Sequence, residues 1–382
     1  MVACRINSGA GTAQLEKKFT VLIGVRHCFS FNSGRAALTC LLKAAAGKAQ
    51  SGRDEVVIPA YTCHSVPAAI VSSGLKIRLV DVNLRDLDYD YEQFKNLDLS
   101  RVLAVISCNL FGIPSDVYRL RTMLGSEPIC LIDDAAQAMG VQDDKHFCGC
   151  RGDAGIFSLG RGKNLSTYSG GLLVTNDDSL ALEISKAISE FPNQSLAAEV
   201  VLTSKIALAS LLLRPSLYWI PDRLLFLHLG ETVFDPDFEI GRLTSVQNCL
   251  GKALVDRLAE LNERREIVSA QIADAALATS AFEVPGYQHG TARCYLRVPL
   301  LARNRAHRDA AIAAMKKVGI KAAVMYPSTV NMISGIDRYL RNDARTFPAA
   351  EQVVERLLTL PTHGYVGAKD VERIIRCLSG LR

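Results

Sequence analysis

The sequence has no long uninterrupted apolar run, no block of basic residues interleaved with aromatics, no low-complexity stretch and no tandem repeat. A membrane-crossing helix needs about 20 consecutive apolar residues. The most apolar stretch, 206–227, is broken by Arg214, Pro215, Pro221, Asp222 and Arg223, so no transmembrane span is expected. Lys and Arg number 44 against 39 acidic residues, a formal net charge of +5. Without a basic patch, nucleic acid is not an expected partner. Met1-Val2-Ala3-Cys4-Arg5 lacks the basic stretch and apolar core of a secretory leader, so a cytoplasmic location is expected. The 11 cysteines are odd in number and scattered, unlike a disulfide framework. Only Cys148 and Cys150 lie close together, and no second Cys or His pair stands at zinc-ligand spacing beside them. No metal site is expected.

What is present is a chain of 382 residues, 49% hydrophobic and 22% charged, long enough for one large domain and a smaller one. Short apolar, β-branched runs at 56–59, 77–81, 102–106, 129–132, 155–158 and 172–175 alternate with helical patterns. Runs that are apolar throughout indicate strands buried on both faces of a mainly parallel sheet. Such sheets bind ligands beyond the carboxyl ends of their strands. The unusual polar residues collect there: Tyr61, Thr62, Cys63 and His64 after the first run, Asp133, Asp134 and Gln137 after the fourth, and a Gly-rich segment with Lys163 after the fifth. Three strand ends converge on one site.

Each segment has a chemical reading. Asn32-Ser33-Gly34-Arg35 stands before the helical stretch 36–46, so Ser33 can cap it while free N–H groups near Gly34 face an anion such as a phosphate. A capped helix without a ligand is the alternative. A carboxylate at Asp134, closing an apolar strand, needs a positive partner or must be neutralised. A pyridinium nitrogen is such a partner, and a helix cap or a metal ligand is the alternative use of an Asp-Asp pair. Lys163 sits between Gly162 and Asn164 in a loop. A phosphate-binding P-loop would need Gly where Phe157 stands and Ser or Thr where Asn164 stands, so that reading fails.

Together these segments resemble the DegT/DnrJ/EryC1/StrS family of pyridoxal-phosphate-dependent sugar aminotransferases. The likeness rests on Ser33-Gly34-Arg35-Ala36-Ala37-Leu38, 54–59, Asp133-Asp134-Ala135-Ala136-Gln137-Ala138, Gly152-Asp153, and Phe157-Ser158 to Lys163-Asn164-Leu165 with Gly170-Gly171. It continues in Met325-Tyr326-Pro327, 347–351 and Leu360-Pro361-Thr362-His363. The resemblance implies an α/β fold-type-I transferase, with a mainly parallel seven-stranded sheet flanked by helices and a smaller C-terminal α/β domain. It implies pyridoxal 5'-phosphate on Lys163 as a Schiff base, with Asp134 on the pyridine nitrogen and Gln137 near the phenolic oxygen. Gly34, Arg35 and Ser158 would hold the phosphate. The position that stacks on the ring is commonly aromatic in the family; here it is Cys63, beside His64.

The implied reaction takes an amino group from glutamate or glutamine to the keto group of a sugar nucleotide or a related cell-envelope or natural-product intermediate, with active sites at a homodimer interface. Some relatives carry His at the lysine position and deoxygenate sugars; Lys163 favours transamination. Four positions depart from the family: Ile240 replaces an Asn that reaches the partner subunit's phosphate, and Asn109, Met325 and Ser169 replace His, His and Glu on the substrate side. These departures point away from the commonest nucleotide-linked keto sugars and keep a second class open, a binding or regulatory module on the same fold. Joint retention of Lys163, Asp134 and Gln137 argues for the enzyme.

The expected division is a large domain over 1–245 with an apolar helical insert at about 200–232, then a small domain over 246–382. A helical stretch from 245 to 269 leads into that small α/β domain, which contains the segment Cys294-Tyr295-Leu296-Arg297-Val298 and a last helix near 371–377. The insert is expected to be a helical hairpin against the large domain or at the dimer interface. Lipid-surface contact by 206–227, through Tyr218 and Trp219, is the competing reading.

Overall fold

The computed structural model describes residues 8–143, 145–191, 195–212, 233–287, 293–341 and 346–381. Seven strands form its central sheet: β1 (His27–Phe31), β2 (Glu55–Pro59), β3 (Lys76–Val80), β4 (Val102–Cys108), β5 (Cys130–Asp134), β6 (Ala154–Ser158) and β7 (Gly171–Thr175). Their spatial order is β1-β7-β6-β5-β4-β2-β3. Only β7 runs against its neighbours. Every residue of β2, β4 and β7 is buried, as expected of runs that are apolar throughout. The edge strands β1 and β3 alternate instead. That is why β1, with His27 and Ser30 interrupting its apolar residues, carries no strand signal in sequence.

The pleat sends successive side chains to opposite faces. Val56 and Ile58 join one core with Leu38, Leu41 and Ile70 from the helices α2 (Gly34–Lys48) and α3 (Ser65–Ser72). Val57 points the other way and packs with Val102, Val105 and Leu120 of α5 (Val117–Leu124). A third cluster joins Leu15 and Phe19 of α1 (Ser8–Ile23) to Phe157, Leu172 and Val174. Helices therefore cover both sides of the sheet and leave its strand ends as the accessible polar edge.

Further along, the expected single helical stretch is two helices. A capping box between Thr244 and Gln247 starts α8 (Ser245–Val255), Arg257 leaves helical geometry, and α9 (Leu258–Ala278) follows. A second, antiparallel sheet has the order β10 (Leu357–Pro361), β9 (Arg297–Ala302), β8 (Phe282–Glu283). Of the segment 294–298, only Arg297 and Val298 belong to a strand, β9. Cys294, Tyr295 and Leu296 are buried ahead of it, and Leu296 N donates to Phe111 O at 2.8 Å. The last helix, α12 (Ala368–Ser379), overlaps its expected place. Between β7 and α8 run α6 (Asp178–Ser189) and α7 (Leu196–Leu212). None of the residues of α7 is buried, and Leu196, Val200, Val201, Leu208 and Leu211 are exposed, while Glu199 accepts from Ser245 N at 2.6 Å. The stretch 213–227 lies outside the described residues. Among those described, no helix is long and apolar enough to cross a membrane.

Candidate active site

Two adjacent carboxylates end β5, and the structure gives them different surroundings. The strand runs two residues beyond its apolar run because the parallel ladder to β4 continues, Ser107 opposite Asp133 and Cys108 opposite Asp134. Asp133 is fully buried and saturated. Its Oδ1 accepts from Asn109 Nδ2 (2.8 Å) and Arg151 Nη2 (2.9 Å), and its Oδ2 from Gly149 N (2.7 Å) and Arg151 Nε (2.9 Å). Asp134 is half-buried and, among the described residues, accepts only a local hydrogen bond, from Ala136 N at 2.9 Å to Oδ1. Burial pushes its carboxyl up to about 6, partly opposed by that hydrogen bond and by the charge of Lys163.

Lys163 stands on the loop that leaves β6. Ser158 Oγ accepts from Gly160 N at 3.2 Å, Lys163 N donates to Gly160 O at 3.3 Å, and Gly162 takes a φ of +77° that favours glycine. The loop is clamped from α9: Asn164 Nδ2 donates to Asn262 Oδ1 at 2.9 Å, and Arg265 Nη2 reaches Lys163 O at 3.5 Å. Burial lowers the lysine's pKa, with Cys63 and Asp134 acting in the opposite direction. Desolvation thus favours the neutral amine, which is the nucleophilic form. Lys163, Asp134 and Cys63, from three strand ends, share one electrostatic neighbourhood.

Gln137 and Tyr326 close another side. Gln137 Oε1 accepts from Phe111 N at 3.1 Å and its Nε2 donates to the Tyr326 hydroxyl at 2.9 Å. The Tyr326 ring lies 5.5 Å from Tyr61 and 6.1 Å from the buried His64, centroid to centroid. Burial pushes the Tyr326 hydroxyl well above its ordinary pKa, so it stays protonated. Cys63 is half-buried with a free thiol.

At the opposite end Ser33 caps α2, its side chain accepting from Ala36 N at 3.1 Å. A Cβ on Gly34 would stand 3.5 Å from Ser158 Cβ, so the helix start and the Ser158 side chain are neighbours. A Cβ on Gly171 would come within 2.5 Å of Gly34 Cα, which makes glycine necessary there. The Arg35 guanidinium turns aside: it lies 4.4 Å above the Phe238 ring and 4.0 Å from Asp235. What Arg35 offers this cradle is backbone, at a helix N-terminus.

The four departures have definite places. Ile240 packs against the core while Glu239 O accepts from Asn32 Nδ2 at 3.0 Å. Ser169 Oγ accepts from Gln247 Nε2 at 2.9 Å, Met325 packs at the core's edge, and Asn109 Oδ1 accepts from Arg151 Nη2 at 2.6 Å. Sequence reasoning assigned no role to Arg151, Tyr326, Asn262 or Arg265. Arg151 is flanked by Cys150 and Gly152, and nothing local marks it apart from the cysteine pair and Gly152-Asp153 beside it. Tyr326 was visible within the Met325-Tyr326-Pro327 motif.

The residues fit pyridoxal phosphate: an amine held toward its neutral form, a carboxylate that no cation among the described residues bonds, and a serine beside a helix N-terminus. These suit an aldehyde, a pyridine nitrogen and a phosphate respectively. Solved structures share the fold. An aminotransferase from Brucella abortus described as DegT DnrJ EryC1 StrS is 23% identical, with a TM-score of 0.75, covering 97% of this chain and 90% of its own. Helicobacter pylori PseC, described as an aminotransferase in pseudoaminic acid biosynthesis, is 18% identical (TM-score 0.77, 98% and 91%). The sugar aminotransferase CalS13 from Micromonospora echinospora is 21% identical (TM-score 0.77, 97% and 92%). The sequence profile of the DegT/DnrJ/EryC1/StrS aminotransferase family matches residues 3–210 and 228–379, and the chain belongs to that family.

Proposed function

We propose that the protein is a pyridoxal-phosphate-dependent aminotransferase that takes the amino group of glutamate or glutamine and delivers it to a keto group. The acceptor is a sugar nucleotide or a related cell-envelope or natural-product intermediate. The observation that carries this is the shared electrostatic neighbourhood of Lys163, Asp134 and Cys63, which come from three different strand ends, with Gln137 on the same loop as Asp134. Pyridoxal phosphate, when bound, supplies an aldehyde that condenses with amines and a ring that accepts electrons from the bond being broken. Asp134 holds a proton on the pyridine nitrogen, and its raised pKa falls toward the usual carboxylate range once that cation is beside it. Lys163 Nζ would anchor the cofactor, and its amine would move a proton between the substrate carbon and the cofactor carbon. Gly34, the Arg35 backbone and Ser158 hold the phosphate, Gln137 stands near the phenolic oxygen, and Cys63 and His64 border the ring.

The changed residues Asn109, Met325 and Ser169 are already bonded or packed within the chain. They support an acceptor other than the commonest nucleotide-linked keto sugars. The exposed apolar side chains of α7 support a homodimer contact, with a lipid-linked or other non-sugar acceptor as the second reading. The domain division is taken at 245/246, where the Thr244 cap starts α8, and the cytoplasm is the proposed location.

Two measurements test the reading. Lys163→Ala abolishes the visible absorbance of the purified, cofactor-loaded protein; a band that persists sinks the assignment. Addition of glutamate or glutamine to the wild type shifts the spectrum to the amine form of the cofactor. No shift with any amino donor favours a binding module.

A further inference from the structure

Arg151 is a buried charged group that has no part in the chemistry above and is nonetheless bonded through every nitrogen of its head. Its side chain is 1% exposed. Nε and Nη2 grip the two oxygens of Asp133 at 2.9 Å each, a bidentate fork that suits a guanidinium and not an ammonium. Nη2 also donates to Asn109 Oδ1 at 2.6 Å, and Nη1 to Ser115 O at 3.1 Å and Asp143 at 3.3 Å. Burial alone would lower the arginine's pKa, but Asp133 more than compensates and keeps it charged.

The network ends on the cofactor-facing strand tip. Asn109 is oriented by Arg151 and Ser115 through its Oδ1, so its Nδ2 is aimed the other way. That Nδ2 donates both to Asp133 Oδ1 and to the backbone oxygen of Asp134, each at 2.8 Å. Asn109 N donates to the same Asp134 oxygen at 3.0 Å. The backbone of Asp134 is thereby fixed from one side, while the neighbouring carboxylate, which would compete for the same cation, is neutralised. Charged groups near the Asp134 carboxyl are then Asp133, offset by Arg151, and Lys163.

We propose that Arg151, acting through Asp133 and Asn109, is a positioning residue that aims Asp134 at the pyridine nitrogen. This rests on the cofactor reading above and adds to it a reason for the Asn at 109: a neutral amide there bridges arginine and strand end, accepting on one side and donating on the other. A protonated imidazole would offer the arginine no acceptor.

The test is binding to the cofactor-free protein, measured by titration with pyridoxal 5'-phosphate and with an analogue that has carbon in place of the ring nitrogen. Wild type prefers the natural cofactor and Asp134→Asn loses the preference. Arg151→Gln reduces that preference about tenfold, the scale on which outer partners of a bound group act. Arg151→Lys, which keeps the charge but not the fork, falls between. An Arg151→Gln protein that binds both compounds more weakly by one common factor, or that keeps the full preference, overturns the proposal. If Arg151→Gln does not fold because Asp133 is left charged and unpaired, the double variant Asp133→Asn/Arg151→Gln removes that charge and must still lose the preference. A wild type that binds neither compound refutes the cofactor reading, and this proposal with it.

Discussion

The side-chain amide of Gln137 donates to the Tyr326 hydroxyl at 2.9 Å across 189 residues of sequence, joining the end of β5 to the loop that carries the Tyr-Pro motif. Both groups are buried, so each is the other's substitute for water.

Tyr326→Phe leaves a Gln137 Nε2 hydrogen without an acceptor, a loss of about 1–2 kcal/mol in folding stability. Gln137→Leu removes the other partner, and the double variant is then less destabilised than the sum of the two by about 1 kcal/mol. Equilibrium urea unfolding of the four proteins measures this coupling. Strict additivity would show that the contact carries no energy.

Asp134 sets a pH dependence in the cofactor-free protein. Its carboxyl is raised to about 6 by burial, whereas the unfolded chain has an ordinary aspartate. The folded state therefore binds the proton more tightly. Stability from this group is greatest at low pH and declines as pH rises from about 4 through 6, since the unfolded state then holds fewer protons than the folded one. Asp134→Asn removes the decline. Cofactor-free Asp134→Asn is expected to exceed wild type by about 1–2 kcal/mol at pH 8, and the gap is expected to close toward pH 4. Thermal unfolding across that range decides it, and a constant gap refutes it.

Much of this architecture is legible in sequence because burial on both faces of a parallel sheet leaves a mark in single residues. The runs at β2, β4 and β7 read as strands for that reason. β1 does not, since an edge strand tolerates His27 and Ser30, and β5 looked two residues too short because polar side chains at its tip resemble a loop. At the site, Lys163, Asp134 and Gln137 were legible from motif and position. The contacts that tell Asp133 from Asp134 were not: Asn109 and Arg151 are 42 residues apart, and nothing local in either segment announces that they meet. The helix α7 is legible as apolar, but only the fold shows its side chains exposed.

That exposure gives a prediction about assembly. Leu208→Ser and Leu211→Ser remove apolar surface that the folded chain does not bury, so stability of the isolated subunit changes by less than about 0.5 kcal/mol. If α7 forms the dimer contact, light scattering shows the mass falling toward that of one chain. An unchanged mass, with reduced sedimentation on lipid vesicles, transfers the role of α7 to a membrane surface.

Gly171 opens β7 directly against the start of α2, and there the fold and the proposed phosphate cradle depend on the same missing methyl group. A Cβ at 171 would lie 2.5 Å from Gly34 Cα and 2.6 Å from Gly34 N, both backbone atoms that cannot rotate away. Gly171→Ala must therefore push the N-terminus of α2 from β7, or bend the strand. The expected cost is on the order of 3 kcal/mol, the upper range for overpacking. Because the displaced atoms include the N–H groups beside Ser158, affinity for pyridoxal phosphate should fall more than affinity for pyridoxal, which has no phosphate to hold. Comparing the two dissociation constants in wild type and Gly171→Ala separates a local cradle from general destabilisation: equal losses for both ligands would mean that the α2 N-terminus does not bind the phosphate.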